Sequence, residues 1–402
     1  MKYDTHFLMT ERDAIQYAID QVRFFQPEES LTCREIGDGN INYVFRIVSE
    51  TTGRSLVIKQ ADQLLRSAGR PLDTKHSRLE ADILTREDAL VPGLVPKVYH
   101  YSEPMCAISM EDISAYENTR TGLMNGHIYP TFVSDIVRFL TDTTVPTTDL
   151  VMEPKAKKEL VVQYVNPEIC EITEKLVLAE PFGSPADENE YTAENREYVT
   201  EHLYFNHALR SEAAALRNNF MNNSQALIHG DLHTGSIFGN DRGLKIIDPE
   251  FAFFGPMGYD SGNVIGNLFF ALTYWEFHDP SNEKMIGWLR SAIADTFDQF
   301  GKRLDQRLED LVQFDLYREP AFLKKYAADI MADTVGYAGT EMIRRTVGSS
   351  KVAELKAFSM DDPVRAQMER LLIDTGSTFI MNRSHIQCGH ELVNIYYTNM
   401  VR

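Results

Sequence analysis

The sequence predicts an α+β protein of two lobes, the first built on an antiparallel sheet and the second mainly helical. Two observations point there. Through about residue 113, short β-like runs alternate with glycine-bearing turns; beyond it, apolar residues recur at helical spacing over most of the chain. The lobes are therefore expected at residues 1–113 and 114–402. A length of 402 residues suits two such units, and 43% hydrophobic content is ample for their cores.

The elements follow in order. Residues 10–25 read as a helix, because Thr10 and Asp13 resemble a capping box and Ile15, Ala18, Ile19 and Val22 share one face. Residues 31–36, 43–48 and 55–59 are short strands of an antiparallel meander, turned by Gly37-Asp38-Gly39-Asn40 and Thr51-Thr52-Gly53. A helix is expected over residues 74–85, and two further strands over 94–101 and 106–110. Helices are then expected at 131–140, 154–164, 170–178, 195–219, 311–331 and 332–347. Glu180 to Glu190 forms an acidic, turn-rich run, which ordinarily means a solvated surface.

Composition excludes several classes. A formal net charge of −19 would repel a nucleic-acid backbone or an anionic membrane surface, and the short Lys155-Ala156-Lys157-Lys158 cluster does not offset it. No apolar run approaches the ~20 residues of a membrane-spanning helix. The N-terminus lacks the build of a signal peptide, and Cys33, Cys106, Cys170 and Cys388 are scattered without metal-ligand spacing. A cytoplasmic protein with reduced thiols is expected. Oligomeric state is left open, a homodimer included.

The chemistry concentrates in Leu227-Ile228-His229-Gly230-Asp231-Leu232-His233-Thr234-Gly235-Ser236 and in Ile246-Ile247-Asp248-Pro249-Glu250, on either side of a Gly239 to Gly243 turn. Each acid follows an apolar run. Phosphoryl transfer needs one carboxylate to orient and deprotonate a hydroxyl, and others to hold magnesium on the nucleotide phosphates. Asp231 suits the first role, Asp248 and Glu250 the second. A zinc site at His229 and His233 is the weaker reading, since Gly230 opposes the helix that would align them. Upstream, Gly37 to Asn40 is a hairpin turn or a flap over phosphates, with Asn40 as a side-chain donor. Lys59 ends the third strand, where a cation would meet α and β phosphates, and Glu80 is its expected partner. Asp260 is placed to cap a helix or to bond the backbone around His229. Arg344 and Arg345 are helical neighbours about 100° apart, so one is expected to face a ligand and the other to make a structural ion pair.

Together with Glu35-Ile36-Gly37-Asp38-Gly39-Asn40, Ile58-Lys59-Gln60, Met110-Glu111-Asp112 and Ile343-Arg344-Arg345-Thr346, these runs resemble the small-molecule kinases of protein-kinase-like fold. That group includes aminoglycoside phosphotransferases and choline kinases, and the match is greatest to the methylthioribose kinase family. The resemblance spans about residues 31–347. It implies a bilobal protein-kinase-like fold and transfer of the ATP γ-phosphoryl group to the 1-hydroxyl of 5-methylthioribose, in methionine salvage. It further implies that Asp231 is the base and touches the sugar. Asp248 and Glu250 would hold Mg2+, with Pro249 between them at the nucleotide. Asn40, Lys59, Met110, Glu111, Asp112 and Ile113 would hold ATP, and Arg344 and Arg345 the sugar. The chain departs from related patterns in three places: Asn42 stands for the third flap glycine of protein kinases, Ser236 for their metal-binding asparagine, and residues 67–72 lack a tryptophan that some family members carry.

Two competing functions are a kinase for a cationic aminoglycoside or amino alcohol, and a non-catalytic nucleotide-binding regulator. Arg344 and Arg345 would repel a cation. The regulator reading conflicts with the joint presence of Lys59, Asp231, Asp248 and Glu250.

Overall fold

A computed structural model describes residues 2–36, 42–62, 75–183 and 188–401. The flap residues Gly37 to Asn40 and the 67–72 segment therefore lie outside the described residues. The chain divides into two compact units, one of residues 1–116 with 245–250, the other of residues 117–244 with 251–402.

The first unit begins with α1 (Glu11–Asp20), capped by Thr10 and Asp13 in a reciprocal capping box. The helix ends at Asp20, short of residue 25, and Arg23 beyond it takes a left-handed φ of 56°. Strands β1 (Leu31–Glu35), β2 (Asn42–Ser49) and β3 (Ser55–Ala61) form the expected meander. After α2 (Lys75–Leu90), strands β4 (Val98–Ser102) and β5 (Ala107–Glu111) complete a five-stranded antiparallel sheet in the order β1-β2-β3-β5-β4. Alternation along β2 turns Phe45 and Ile47 inward, where they join Tyr3, Met9, Tyr17, Phe25, Leu56 and Ile58 in one core.

The second unit opens with β6 (Glu117–Asn118), α3 (Thr119–Met124), α4 (Phe132–Thr144), α5 (Pro154–Gln163) and α6 (Pro167–Leu178). The helix expected over residues 195–219 is broken. A short α7 (Arg196–Val199) runs into a wide turn at Thr200–Tyr204, and α8 (His207–Asn222) starts afresh where the Asn206 side chain caps Leu209 N–H. Strands β7 (Ala226–Ile228), β8 (Ile237–Asn240), β9 (Gly243–Ile246) and β10 (Phe253–Gly255) follow, with β7 antiparallel to β10.

Helices α9 (Gly258–His278), α10 (Glu283–Leu311), α11 (Pro320–Val347), α12 (Ala353–Lys356), α13 (Pro363–Asn382) and α14 (Gly389–Met400) complete the unit. The helices expected over residues 311–331 and 332–347 are one continuous helix that starts later: Leu311 closes α10, and Pro320 opens α11 at a position where its missing N–H costs nothing. Every residue of α9 from Gly258 to Trp275 is buried, as an all-round apolar helix requires. Helix α11 approaches its backbone closely, since a Cβ on Gly262 would lie 2.6 Å from Thr334 O. The buried Tyr259, Tyr337 and Ile343 fix these helices in the core that carries Arg344 and Arg345.

Candidate active site

In the first unit the centre is Lys59, on β3. Its Nζ lies 2.8 Å from Glu80 Oε1 and 2.7 Å from Asp248 Oδ1. Glu80 is buried on α2, so this lysine is not an exposed strand end. Burial works against the ammonium, but the carboxylates of Asp248, Glu80 and Glu250 outweigh it and raise its pKa. Lys59 is thus a fixed cation. Asp248 takes a left-handed φ of 61°, and Pro249 and Glu250 follow in a single tight turn, Pro249–Phe251. The side chain of Asp248 is 45% exposed, so the acid that pairs with Lys59 also meets solvent.

The segment Met110 to Ile113, at the end of β5, is partly engaged within its own unit. Glu111 N–H donates to Lys97 O at 2.9 Å, and Glu111 Oε2 accepts Lys245 Nζ at 2.7 Å. Asp112 Oδ2 takes Arg46 Nε–H at 2.7 Å, and Ile113 O accepts Tyr116 N–H at 2.8 Å. Met110 is buried in β5, paired with Val57 and Val98.

In the second unit the centre is Asp231. It follows β7 in a turn that only glycine can make: Gly230 has φ +83°, and a Cβ there would lie 2.2 Å from Phe251 O. Asp260, in the first turn of α9, fixes that turn by accepting His229 N–H at 2.7 Å and Gly230 N–H at 3.0 Å. It bonds the backbone around His229 rather than capping its own helix. His229 is buried, and its Nδ1 accepts Asp231 N–H at 3.3 Å.

His233 Nδ1 faces the N–H groups of Gly235 at 3.0 Å and Ser236 at 3.1 Å, so the ring proton belongs on Nε2, which lies 3.4 Å from Asp231 Oδ2. The other oxygen, Oδ1, lies 3.3 Å from Arg344 Nη2 and 3.6 Å from Arg345 Nη2. Burial alone would raise the Asp231 pKa, yet His233, Arg344 and Arg345 hold it well below the usual carboxylate range. Its carboxylate is a fixed anion with a directed ring of donors.

Both arginines therefore reach the same oxygen, against the expectation that only one would. The reason is Glu341, one turn earlier on α11 and fully buried. Its Oε2 accepts Arg344 Nε–H at 2.5 Å and its Oε1 accepts Arg345 Nε–H at 3.1 Å, which draws two diverging side chains together. Glu341 was missed in the sequence, though its spacing three and four residues before the arginines was a readable signal. Asn267, which donates Nδ2–H to Glu341 Oε1 at 2.9 Å, had none.

A lysine braced by carboxylates in one unit and an acid ringed by arginines in the other are the equipment of a phosphotransferase of protein-kinase-like fold. Consistent with this, residues 32–283 match the phosphotransferase enzyme family, APH. The chain is 37% identical over 388 residues to a methylthioribose kinase of Bacillus velezensis, covering 96% of this chain and 95% of that protein. Methylthioribose kinases of Bacillus pumilus and Cronobacter sakazakii are 36% and 34% identical, each over 96% of both chains. The chain belongs to the methylthioribose kinase family. Among solved structures, a Plasmodium vivax ethanolamine kinase aligns at 13% identity over 100% of this chain and 90% of that one, with a TM-score of 0.47.

Proposed function

We propose that the chain transfers the γ-phosphoryl group of ATP to the 1-hydroxyl of 5-methylthioribose, giving 5-methylthioribose 1-phosphate in methionine salvage. The names of its relatives support that acceptor. The observation that carries the reading is Asp231 with Arg344 and Arg345 both on Oδ1, an arrangement suited to a neutral polyol and hostile to a cation.

Asp231 orients the acceptor hydroxyl. A carboxylate held so acidic is a weak base before reaction, so it takes the proton late, as the acceptor oxygen bonds to phosphorus and the bond to the ADP oxygen breaks. Arg344 and Arg345 hydrogen-bond the sugar and offset charge on the transferring group. Lys59 holds the α and β phosphates, kept charged and in place by Glu80. Residues 1–113 serve as the nucleotide lobe on this reading, residues 114–402 as the catalytic and acceptor lobe, and the flap residue Asn40 and the Met110 to Ile113 strand end contribute to ATP.

The hard oxygen donors of Asp248 and Glu250 fit Mg2+. Among the described residues no group of three or more His, Cys, Asp or Glu is placed to hold a metal, and magnesium is typically bound by one or two carboxylates together with substrate phosphates. When bound, it would neutralise phosphate charge. No helix among the described residues is long and apolar enough to cross a membrane, and the cysteines are free, which supports a cytoplasmic site of action.

An ATP-consumption screen tests the reading, with methylthioribose compared against ribose, choline and an aminoglycoside. Turnover confined to methylthioribose is expected. Preference for choline or the aminoglycoside would overturn it.

A further inference from the structure

The second unit holds another arginine near enough to the same acid to feel its charge. Arg120 lies in the first turn of α3, after Asn118 caps it. Its Nη2 donates to Asn267 Oδ1 at 2.6 Å and its Nε to Thr234 Oγ1 at 3.2 Å. Asn267 passes the contact on to Glu341, which anchors Arg344 and Arg345. Arg120 thus shares one hydrogen-bonded network with both arginines at Asp231.

Glu354 approaches Arg120 from α12, with Oε2 3.7 Å from Nε. It is only 1% exposed, and neither of its oxygens has a hydrogen-bond partner among the described residues. A buried carboxylate without hydrogen bonds is costly and requires a reason. Holding a neighbouring cation in one orientation is such a reason. The edge of Arg120 not engaged by Thr234 and Asn267 carries Nη1, which faces Gly235. A Cβ on Gly235 would lie 3.4 Å from that Nη1 and 2.8 Å from His233 Cε1. A side chain at Gly235 would clash with the His233 ring and cover the guanidinium edge.

We propose that Arg120 is a further acceptor-binding residue, whose Nη1 edge donates a hydrogen bond to an acceptor hydroxyl, and that Glu354 is the buried counter-ion that positions it. The proposal rests on the reading that a polyhydroxylated acceptor binds at Asp231. It requires the planar fork of arginine: Nε and Nη2 are engaged by the protein while Nη1 is left to the ligand, a division that a lysine ammonium cannot reproduce.

The test compares wild type, Arg120→Ala, Arg120→Lys and Glu354→Gln in steady-state kinetics with ATP and methylthioribose, and with methylthioribose analogues lacking single hydroxyls. Arg120→Ala is expected to raise KM for methylthioribose about ten- to a hundredfold, the loss of a charge-assisted hydrogen bond, and to leave KM for ATP unchanged. Arg120→Lys should recover little, and millimolar guanidinium should restore part of the Arg120→Ala activity. One deoxy analogue should be penalised with wild type but not with Arg120→Ala. Glu354→Gln, acting through Arg120, should raise the same KM by a smaller factor with kcat little changed. Wild-type kinetics in Arg120→Ala would overturn the proposal, as would a loss shared by both substrates without guanidinium rescue. Should Arg120→Ala not fold, the lysine variant and Glu354→Gln carry the same KM comparison. A wild type inactive on methylthioribose would instead overturn the acceptor reading, and the variants are then compared on whichever acceptor of the screen is phosphorylated.

Discussion

Glu341 Oε2 accepts the Nε–H of Arg344 at 2.5 Å, within the same buried turn of α11, so the arginine's position is set before any ligand arrives. The second oxygen does the same for Arg345, and burial of the acid is outweighed by the two guanidinium groups, which bring its pKa down to about 2. Preorganised donors cost no reorganisation when the reaction occurs.

It follows that Arg344→Ala and Arg345→Ala should both impair the acceptor side, not one alone. Each is expected to lower kcat/KM for methylthioribose by about 1.5–3 kcal/mol, roughly ten- to a hundredfold, with ATP affinity little changed. Each also removes a positive neighbour of Asp231, whose pKa then rises, so the acid limb of the kcat/KM profile should move to higher pH. A profile that stays in place for both variants would mean that the arginines do not act on Asp231.

Asp231→Asn removes the proton acceptor but keeps the shape of the turn, because the turn rests on Gly230 and on the Asp260 carboxylate, which accepts His229 N–H and Gly230 N–H, and not on the Asp231 side chain. Turnover should fall about 10²- to 10⁴-fold, the usual contribution of a general base. ATP binding, followed by nucleotide titration, should be nearly preserved. Near-normal kcat would remove Asp231 from the chemistry.

Lys59→Ala leaves Glu80 buried without this cation and removes one ion pair of Asp248. The apparent KM for ATP should rise and kcat should fall together, since one ammonium serves both phosphate binding and alignment. Stability should drop as well, because removing one partner of a buried ion pair strands the other. Lys59→Ala with wild-type ATP kinetics would show that the ion pair is structural only.

Much of this was legible in the sequence because local signals carried it. Short β-like runs between glycine-bearing turns marked β1, β2 and β3, and the capping box marked the start of α1. Asp231, Asp248 and Glu250 stood in short runs whose order was itself informative. What failed needed tertiary knowledge. The break between α7 and α8 depends on Asn206 acting as a cap within an otherwise helical pattern. The continuity of α11 from Pro320 reads correctly only if that proline starts a helix rather than interrupts one. The convergence of Arg344 and Arg345 on one oxygen could not be read from their spacing, which alone sends them apart. Arg120 and Glu354 are brought together by folding across the whole second unit, and no local pattern links them.

Asp333, on α11, carries a stability dependence on pH that can be tested without substrate. Its Oδ2 accepts Asn219 Nδ2–H at 2.7 Å, but burial, only partly offset by that bond and by Arg383, pushes its pKa up from 3.8 to about 6. Because the folded state holds this proton more tightly than the unfolded one, the contribution is fully present below about pH 3.8 and lost as pH rises through about 6. Above that range the buried charge costs the fold roughly 3 kcal/mol at most. Asp333→Asn keeps an oxygen acceptor for Asn219 and removes the charge. The variant should therefore have a higher Tm than wild type at pH 8, by a margin that shrinks towards pH 4. Thermal unfolding across that range measures it, and a difference in Tm that does not vary with pH would show that Asp333 does not titrate in the fold.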